Sequence, residues 1–314
     1  MLTDLLAALI ISSNGETIED TSRAGVSSVG GEPGMSKIAL LRKLLTSPDT
    51  LVMPDAYDPL SARIIESLGF KAVQCSGYSF ALAACCPSEA DFGFDRNLAL
   101  TKNIVEAVQV PIMADGEDGF GDPPVVAEIV RAFIRAGVAG INIEDQVLGQ
   151  AGPKRVIDSG RMVEKIRAAR EAARQEGHPD LIINGRTDAL SVAADRTAGL
   201  NESIARANLY LDAGADLAFV TGVATIAEVT TLVQGIHGPV SIAAGLPNSI
   251  NTMSIADLRA CGVRRVSLPV VAIFSVIQAL SRTLVALRDC QDFSMILQES
   301  LLCSPEDVSR LVAK

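Results

Sequence analysis

Short apolar runs alternate with longer amphipathic segments over most of the chain, from Leu51 onward. The runs show no polar alternation, which is typical of parallel strands that are buried on both faces. The segments between them carry apolar residues at the i, i+3 and i+4 spacing of a helix. The pattern therefore predicts repeated β/α units around a parallel sheet. The predicted strands are residues 51–54, 72–75, 111–114, 140–143, 181–184, 217–220, 240–243 and 263–267.

This order favours one closed (β/α)8 barrel of the TIM type over a doubly wound sheet. A doubly wound sheet would carry a glycine-rich phosphate-binding turn after its first strand, and the sequence has none there. Residues 35–314 are therefore predicted to form a single domain. The predicted helices are residues 36–46, 59–68, 96–108, 125–136, 160–176, 201–213, 226–234, 255–261 and 271–287.

The first 34 residues differ from the rest of the chain. A short apolar run, 5–11, is followed by segments rich in serine and glycine. The run is too short to span a membrane and lacks the basic start of a secretory signal, since Asp4 is the only charge before it. Residues 1–34 are therefore predicted to be a flexible extension that function does not need.

Composition narrows the class of function. Of 314 residues, 48% are apolar, which is ample for a large core, and the formal net charge is −10. An acidic chain of this kind argues against nucleic acid or an anionic membrane as partner and favours a cytoplasmic enzyme with a small-molecule substrate. The six cysteines have no C-x-x-C spacing, and the only histidines are His178 and His237. Zinc sites, disulfide frameworks and Ser-His triads are thus disfavoured.

Carboxylates concentrate directly after the predicted third strand. Residues 111–114 are apolar, and Asp115, Glu117 and Asp118 follow in a glycine-rich loop. Three carboxylates this close repel one another unless a cation lies between them. Oxygen ligands of this kind favour Mg²⁺, for which Mn²⁺ can substitute. Taken by itself, the stretch is also compatible with a solvated acidic loop.

Other polar residues follow the remaining predicted strands, so a barrel would bring them to one rim. An isolated residue such as Asp188 is equally compatible with a helix N-cap. The backbone N–H groups of Ser76, Gly77 and Tyr78 could form an anion cradle. The rim residues are Asp55, Tyr57, Asp58, Ser76, Gly77, Tyr78, Asp115, Glu117, Glu144, Asp145, Gln146, Arg186, Asp188, Thr221, Gly245 and Pro269.

Acidic residues that surround one arginine on this rim predict a site for a metal and an anion. Asp115 is expected to bind Mg²⁺ directly, and Glu117 and Glu144 to bind it directly or through water. Arg186 is expected to form a bidentate pair with a substrate carboxylate.

The chain resembles the phosphoenolpyruvate mutase/isocitrate lyase superfamily over about residues 37–288. Each motif alone is weak, but the set in this order is specific. The motifs are Ala56-Tyr57-Asp58 with Ser61-Ala62, Ser76-Gly77, Asp91-Phe92-Gly93, Asp115-Gly116-Glu117-Asp118-Gly119-Phe120-Gly121, Asn142-Ile143-Glu144-Asp145 and Asn184-Gly185-Arg186-Thr187-Asp188.

The resemblance implies an (α/β)8 barrel, a Mg²⁺ ion, small 2-oxo or 2-hydroxy acid substrates and chemistry through an enolate. It also implies that a C-terminal helix is exchanged between subunits of a dimer, commonly paired into a tetramer. By analogy Asp115 is the metal ligand, and Glu117, Asp91 and Glu144 complete its outer shell. The substrate would be held by Arg186 and by Ser76 with Gly77.

The loop after the fourth predicted strand departs from the family's patterns. Isocitrate and methylisocitrate lyases carry a cysteine after a basic pair, whereas here Val156 follows the pair Lys154-Arg155. Phosphonate-forming mutases carry Lys and Asn in this loop, whereas this chain has Gln146 and no Asn there. Thr221, which we expect to contact substrate, stands where the lyases have a glutamate and the mutases a histidine. The motifs that are expected to bind the metal are thus present, whereas the positions that distinguish the reactions of the family differ.

We therefore predict a Mg²⁺-dependent lyase that breaks or forms a C–C bond in a small oxo- or hydroxy-dicarboxylic acid. Tyr57, Lys154 or a metal-bound water could protonate the enolate in place of the missing cysteine, and residues 149–160 would close as a lid. The alternatives are P–C chemistry on phosphonopyruvate or phosphoenolpyruvate, decarboxylation of oxaloacetate, and a non-catalytic barrel that binds an oxyacid. The apolar C-terminal stretch predicts a homo-oligomer.

Overall fold

Eight parallel strands form a closed barrel in the computed structural model, which describes residues 34–149, 152–246 and 249–313. Each strand pairs with the next, and the last pairs with the first through the register Leu51↔Arg265. The predicted (β/α)8 barrel is confirmed. The strands are β1 Leu51–Ala56, β2 Val73–Cys75, β3 Ile112–Asp115, β4 Gly140–Glu144, β5 Ile182–Thr187, β6 Leu217–Val220, β7 Val240–Ala243 and β8 Arg265–Leu268.

Helices connect the strands, and the long ones agree with the predicted ranges to within a few residues. Short helices after β2 and β5 were not predicted, because they are too brief to show a 3.6-residue period. The helices in the described residues are α1 Lys37–Thr46, α2 Pro59–Ser67, α3 Gly77–Ala83, α4 Glu89–Phe92, α5 Phe94–Ala107, α6 Pro123–Arg135, α7 Ser159–Gln175, α8 Ala189–Val192, α9 Arg196–Asp212, α10 Ile226–Gly235, α11 Ile255–Ala260, α12 Val271–Cys290, α13 Ser294–Gln298 and α14 Pro305–Val312.

Helix α1 closes the end of the barrel where the strands begin. Its Leu41 is fully buried and belongs to one core cluster with Met53 of β1, Ile182 of β5 and Leu217 of β6. Ser36 caps the helix by accepting a hydrogen bond from the Ala39 N–H at 3.2 Å. This end of the barrel is thus filled by apolar side chains, which leaves the opposite end for a site.

Five strands extend further toward that opposite end than predicted, and three of them thereby gain a charged residue of the site. β3 includes Asp115, β4 includes Glu144 and β5 includes Arg186, all of which were predicted to follow their strands. The apolar runs stop before these residues, but the backbone ladder continues, as the register Glu144↔Arg186 shows. The charged side chains therefore stand on rigid strand ends and not in loops.

The C-terminal helices differ in their packing. Helix α14 contacts α2, where Nη1 of Arg63 donates to the carbonyl of Leu311 at 2.9 Å. Helix α12, in contrast, exposes large apolar side chains along its length, including Leu280 and Leu284. Among the described residues it alone is long and apolar enough to cross a membrane, which for a single helix is weak evidence of a span. The predicted helix exchange stays a prediction, as does the division at residue 35. The predicted extension lies, apart from Gly34, outside the described residues.

Candidate active site

Three buried carboxylates meet at the end of the barrel where the strands finish. Asp115 ends β3, Glu144 ends the neighbouring β4, and Glu117 lies in the loop between β3 and α6. One oxygen from each lies within 4.8 Å of the other two. The side chains are only 8%, 1% and 4% exposed, respectively. The structure thus brings together the three residues that the sequence predicted as metal ligands.

The position of Glu117 depends on its backbone and on a glycine beside it. Its φ is +50°, in the left-handed region that side chains other than glycine rarely adopt. Its carbonyl accepts a hydrogen bond from the Glu144 N–H at 2.9 Å, which ties the loop to β4. Its carboxylate packs against Gly77, where an added Cβ would lie 1.5 Å from Oε1. Gly77 therefore provides the space into which the Glu117 carboxylate extends.

The electrostatics of the three carboxylates call for a cation. Burial, reinforced by Asp115 and Glu144, raises the pKa of Glu117 well above its usual range. Burial also raises the pKa of Glu144 and of Asp115, although Arg186 partly offsets both shifts. Asp115 Oδ1, Glu117 Oε1 and Glu144 Oε2 have no hydrogen-bond partner among the described residues. A divalent cation bound to oxygen ligands would satisfy these atoms and remove the repulsion, so the residues fit such an ion.

Arg186 lies beside this cluster and is held by two acids. Its Nε and Nη2 donate to the two carboxylate oxygens of Asp188 at 2.8 and 3.1 Å. Nη1 lies 2.5 Å from Oε2 of Glu144, without the alignment of a hydrogen bond. The guanidinium also lies 5.7 Å from the ring centre of Phe219. This frame fixes the guanidinium and leaves its remaining N–H groups for an anion.

Asp145 supports Asp188 and takes no part in the cavity itself. It is fully buried, and its Oδ1 accepts the N–H of Asp188 at 2.9 Å. Its Oδ2 accepts from the hydroxyls of Thr187 and Tyr210, each at 2.7 Å, and from Arg206 at 3.2 Å. Asp145, which directly follows Glu144, therefore holds Asp188 in position from beneath the site.

A cavity of about 500 Å³ opens above these groups. Its described lining includes eight residues that the sequence assigned to the site, namely Ser76, Tyr78, Asp115, Glu117, Glu144, Lys154, Arg186 and Thr221. It also includes residues without a predicted role, among them Asp55, Glu89, Phe219, Leu246, Val270 and Phe274. Asp55 was expected on the rim, since it stands at a strand end, although no role was assigned to it. Phe274 could not, because nothing in a helical pattern distinguishes a cavity-facing residue from a core residue.

Three predicted residues lie elsewhere. Asp91 is exposed, because its position in the first turn of α4 pairs its carboxylate with the Ser88 hydroxyl at 2.6 Å. Glu89, two residues earlier, lines the cavity instead. Tyr57 packs partly buried against the core beside β2, since the chain already turns there toward α2. The expected cavity positions of Asp91 and Tyr57 are thus wrong for this conformation.

The third correction concerns the expected anion cradle. The Gly77 N–H donates to Oδ2 of Asp115 at 2.9 Å, and the Ser76 hydroxyl accepts from the Ser79 N–H at 3.3 Å. Gly77 therefore orients a candidate metal ligand, and its N–H is not open to a substrate. Ser76 and Tyr78 still line the cavity with their side chains.

The loop after β4 covers one side of the cavity. Gln146 and Val156 form an isolated antiparallel bridge, and the Ile157 N–H donates to the Asp145 carbonyl at 2.8 Å. Lys154 lies on this loop, with Nζ 3.8 Å from Oδ1 of Asp188. The loop thus brings a second cation to the cavity, on a segment whose ends are tied to the barrel.

Comparison with known proteins agrees with this arrangement. The sequence model of a protein family described as phosphoenolpyruvate phosphomutase matches residues 41–288. The chain is 36% identical over 193 residues to a 2,3-dimethylmalate lyase of Eubacterium barkeri, which covers 59% of this chain and 63% of that protein. It is 33% identical over 204 residues to a 2-methylisocitrate lyase of Aeropyrum pernix, which covers 64% and 63%. The matched segments thus span less than two thirds of these relatives.

Solved structures extend the similarity to nearly the whole barrel. The crystal structure of a phosphoenolpyruvate phosphomutase from Streptomyces platensis subsp. rosaceus superposes with a TM-score of 0.78 at 28% identity. The superposition covers 87% of this chain and 94% of that one. The chain is therefore similar both to enzymes that are named as lyases and to an enzyme that is named as a phosphomutase.

Proposed function

Because the chain belongs to the phosphoenolpyruvate mutase/isocitrate lyase superfamily, we propose that it is a Mg²⁺-dependent lyase. Its substrate would be a small 2-oxo or 2-hydroxy dicarboxylic acid in which a C–C bond is broken or formed. The observation that carries this proposal is the meeting of three buried carboxylates, each with an oxygen that accepts no hydrogen bond, beside Arg186 at the edge of a cavity. Mn²⁺ is expected to replace Mg²⁺, since both bind oxygen ligands.

The charges around the cavity favour C–C chemistry over P–C chemistry. Among the described lining residues, Lys154 and Arg186 are the only cations, and both already lie beside acids. A phosphonate or phosphoryl group carries up to two negative charges, spread over the oxygens of one phosphorus atom, and needs several donors or cations around it. The side chain of Gln146, which stands where the mutases carry a lysine, supplies no charge. A substrate that bears carboxylates and carbon substituents is the better match.

The protein groups would act in the following way. Asp115, Glu117 and Glu144 would hold the metal, Arg186 would pair with one substrate carboxylate, and Lys154 would face the second carboxylate from the loop. When bound, Mg²⁺ would supply positive charge opposite the oxygen on which negative charge develops as the C–C bond breaks. The apolar side chains of Phe219 and Val270 would exclude water from the carbon skeleton.

Cleavage of a hydroxy acid requires two proton movements. The carbon that carries the hydroxyl becomes a carbonyl carbon and its hydroxyl proton leaves, while the bonding electrons stay on the other fragment as an enolate. A second proton then adds to the enolate carbon. We assign that proton to Lys154, which lines the cavity, whereas Tyr57 does not. Closure of residues 149–160 over the bound acid would bring Lys154 to its working position.

The metal assignment can be tested by calorimetry on protein stripped of metal. We expect Asp115→Ala to abolish Mg²⁺ binding. The matched control is Asp122→Ala, which removes an exposed acid of the same loop that pairs with Arg161 at 2.6 Å and lies outside the cluster. Its Mg²⁺ affinity should stay within about twofold of wild type, because exposed ion pairs contribute little. Equal Mg²⁺ affinity of Asp115→Ala and wild type would exclude Asp115 as a ligand.

The reaction can be tested with a panel of acids in the presence of Mg²⁺. We expect release of an oxo acid from a malate-type hydroxy acid, or turnover of oxaloacetate. Phosphonopyruvate and phosphoenolpyruvate serve as competing substrates, followed by ³¹P NMR. Efficient conversion of these two compounds without turnover of the carbon acids would overturn the choice of C–C chemistry. Mg²⁺-dependent binding of the acids without any turnover would instead indicate a binding barrel.

We further propose that the protein is a cytoplasmic homo-oligomer in which a second copy covers α12. The side chains of Phe274, Ile277, Leu280 and Leu284 are 37–56% exposed, which is costly for a helix surrounded by water. Phe274 also lines the cavity, so a partner on this helix would complete one wall of the site. Light scattering of the full chain should show a dimer or tetramer. An active, monodisperse monomer that lacks residues 290–314 would argue against a C-terminal contribution to assembly.

A further inference from the structure

A buried lysine lies behind the candidate metal site and is not part of the cavity lining. Lys165 is in the second turn of α7 and is only 5% exposed. Its Nζ donates a hydrogen bond to the carbonyl oxygen of Asp118 at 2.5 Å. Asp118 directly follows Glu117, so this bond reaches the backbone next to a candidate metal ligand.

The loop that receives this bond has a strained backbone. Glu117 has φ +50° and Phe120 has φ +56°, and Gly119 between them has φ +81°. Residues other than glycine adopt this region only at an energetic cost, and they persist there only where surrounding contacts hold them. The loop has few bonds of its own, such as the Gly119 N–H to the Gly116 carbonyl at 2.8 Å. External contacts must therefore hold its shape.

Burial of Lys165 removes a charged group from water, and this desolvation is not needed to form the fold. Burial lowers the pKa of Lys165, although Asp118 and Asp122 raise it in part. An apolar side chain at this place in α7 would pack beside Met162 and Ile166, which are fully buried, without desolvating a charge. What a lysine adds over an apolar residue is a charged donor for the Asp118 carbonyl. The position thus points to a role in fixing the loop.

We propose that Lys165 is a positioning residue for Glu117. It fixes the Asp118 carbonyl, keeps the preceding residue in its left-handed conformation, and so sets the Glu117 carboxylate in place before the metal arrives. The inference rests on the proposed metal site. Partners that orient a metal ligand typically change metal affinity by about 10- to 100-fold when removed, and we expect a loss in that range for Lys165.

The test is a double-mutant cycle read by metal affinity, so that it needs no substrate. Titrations with Mg²⁺ by calorimetry, and with Mn²⁺ by electron paramagnetic resonance, compare wild type, Lys165→Met, Glu117→Ala and the double variant. We expect Lys165→Met to weaken binding by roughly tenfold or more. In the Glu117→Ala background the same change should have little effect on metal affinity, because the carboxylate that Lys165 positions is absent. A general loss of structure would instead weaken binding in both backgrounds.

A neighbouring residue provides the matched control. Arg161 lies one turn earlier on α7 and pairs with Asp122, and its side chain is 41% exposed. Arg161→Met removes a cation from the same helix without touching the Asp118 carbonyl, and should leave Mg²⁺ affinity within about threefold. If Lys165→Met does not fold, Lys165→Gln serves in its place, since an amide donor that falls short of the carbonyl should also weaken binding.

The outcomes separate this inference from the proposed function. Absence of Mg²⁺ binding in the wild type would refute the metal site itself and, with it, the role of Lys165. Normal wild-type binding with an affinity of Lys165→Met within threefold of it would overturn only the positioning role. The same would hold if the loss were equal with and without Glu117.

Discussion

Replacement of Asp145 by asparagine should destabilise the fold more than any other single-charge change at the rim. Its Oδ2 accepts hydrogen bonds from Thr187, Tyr210 and Arg206, and its Oδ1 accepts the Asp188 N–H. All four contacts are between a donor and an acidic acceptor. Asparagine keeps the shape of the side chain but replaces one acceptor oxygen by a donor.

The magnitude follows from where that donor must lie. If the amide nitrogen takes the place of Oδ1, it faces the N–H of Asp188. If it takes the place of Oδ2, it faces three donors. The better choice leaves one buried N–H unpaired, which costs about 1–3 kcal/mol, and weakens the remaining bonds, which lose their charge. Arg206 keeps a partner in Glu202 at 2.7 Å, so it is not stranded. We therefore expect a loss of about 3 kcal/mol in the free energy of unfolding.

Urea unfolding followed by circular dichroism measures this loss. The control is Glu202→Gln, which removes the other acid bound to Arg206, on the exposed side of the same pair. Exposed ion pairs contribute little, so the control should change the free energy of unfolding by no more than about 0.5 kcal/mol. A loss below about 1 kcal/mol for Asp145→Asn, at an unchanged urea slope, would refute the reasoning from unpaired donors.

Three further changes test the site itself. Gly77→Ala should weaken Mg²⁺ binding in calorimetry at least tenfold, since its Cβ would lie 1.5 Å from Glu117 Oε1. Arg186→Lys should lower kcat/KM by roughly 100-fold or more, because an ammonium cannot reproduce the fork on Asp188. Burial raises the pKa of Glu117 and Glu144 above 4.5, so the metal-free folded protein keeps protons that the unfolded chain releases. Its Tm should fall as pH rises above that value, and Mg²⁺ should remove the fall.

The barrel could be predicted because its signals are local. Strands buried on both faces need continuous apolar runs, and the helices between them need a regular apolar stripe, so both patterns appear in the sequence. The meeting of the three candidate metal ligands was predictable for a similar reason. Asp115 and Glu144 follow such runs directly, and the parallel topology brings all strand ends to one rim.

The direction of individual side chains was not predictable in this way. Tyr57 and Asp91 stand close to the rim in sequence, yet Tyr57 turns into the core and Asp91 pairs with Ser88. Each direction depends on the angle at which the chain leaves a strand or enters a short helix, which residue types do not specify. Gly77 is the clearest case. The sequence suggests a backbone donor for the substrate, whereas its missing side chain makes room for Glu117.

The numbers of acidic and basic residues that line the cavity bear on both the need for a metal and the kind of acid that could bind. Among the described lining residues, Lys154 and Arg186 are the cations. The residues between the described ranges, Gln150, Ala151, Pro247 and Asn248, are uncharged. Six acids also line the cavity: Asp55, Glu89, Asp115, Glu117, Glu144 and Asp188.

Without a divalent cation these acids would repel any carboxylate, so the metal that relieves them is also what admits the substrate. With it, the positive charge suffices for one carboxylate at the metal and Arg186 and a second near Lys154. A third carboxylate would find no further cation among the described lining residues, and would have to rely on neutral donors such as Thr221 or lie against the apolar residues Phe219 and Val270. If the proposed metal binds there, the charges would favour dicarboxylates over tricarboxylates, and the apolar residues Phe219 and Val270 would favour carbon substituents on the rest of the molecule.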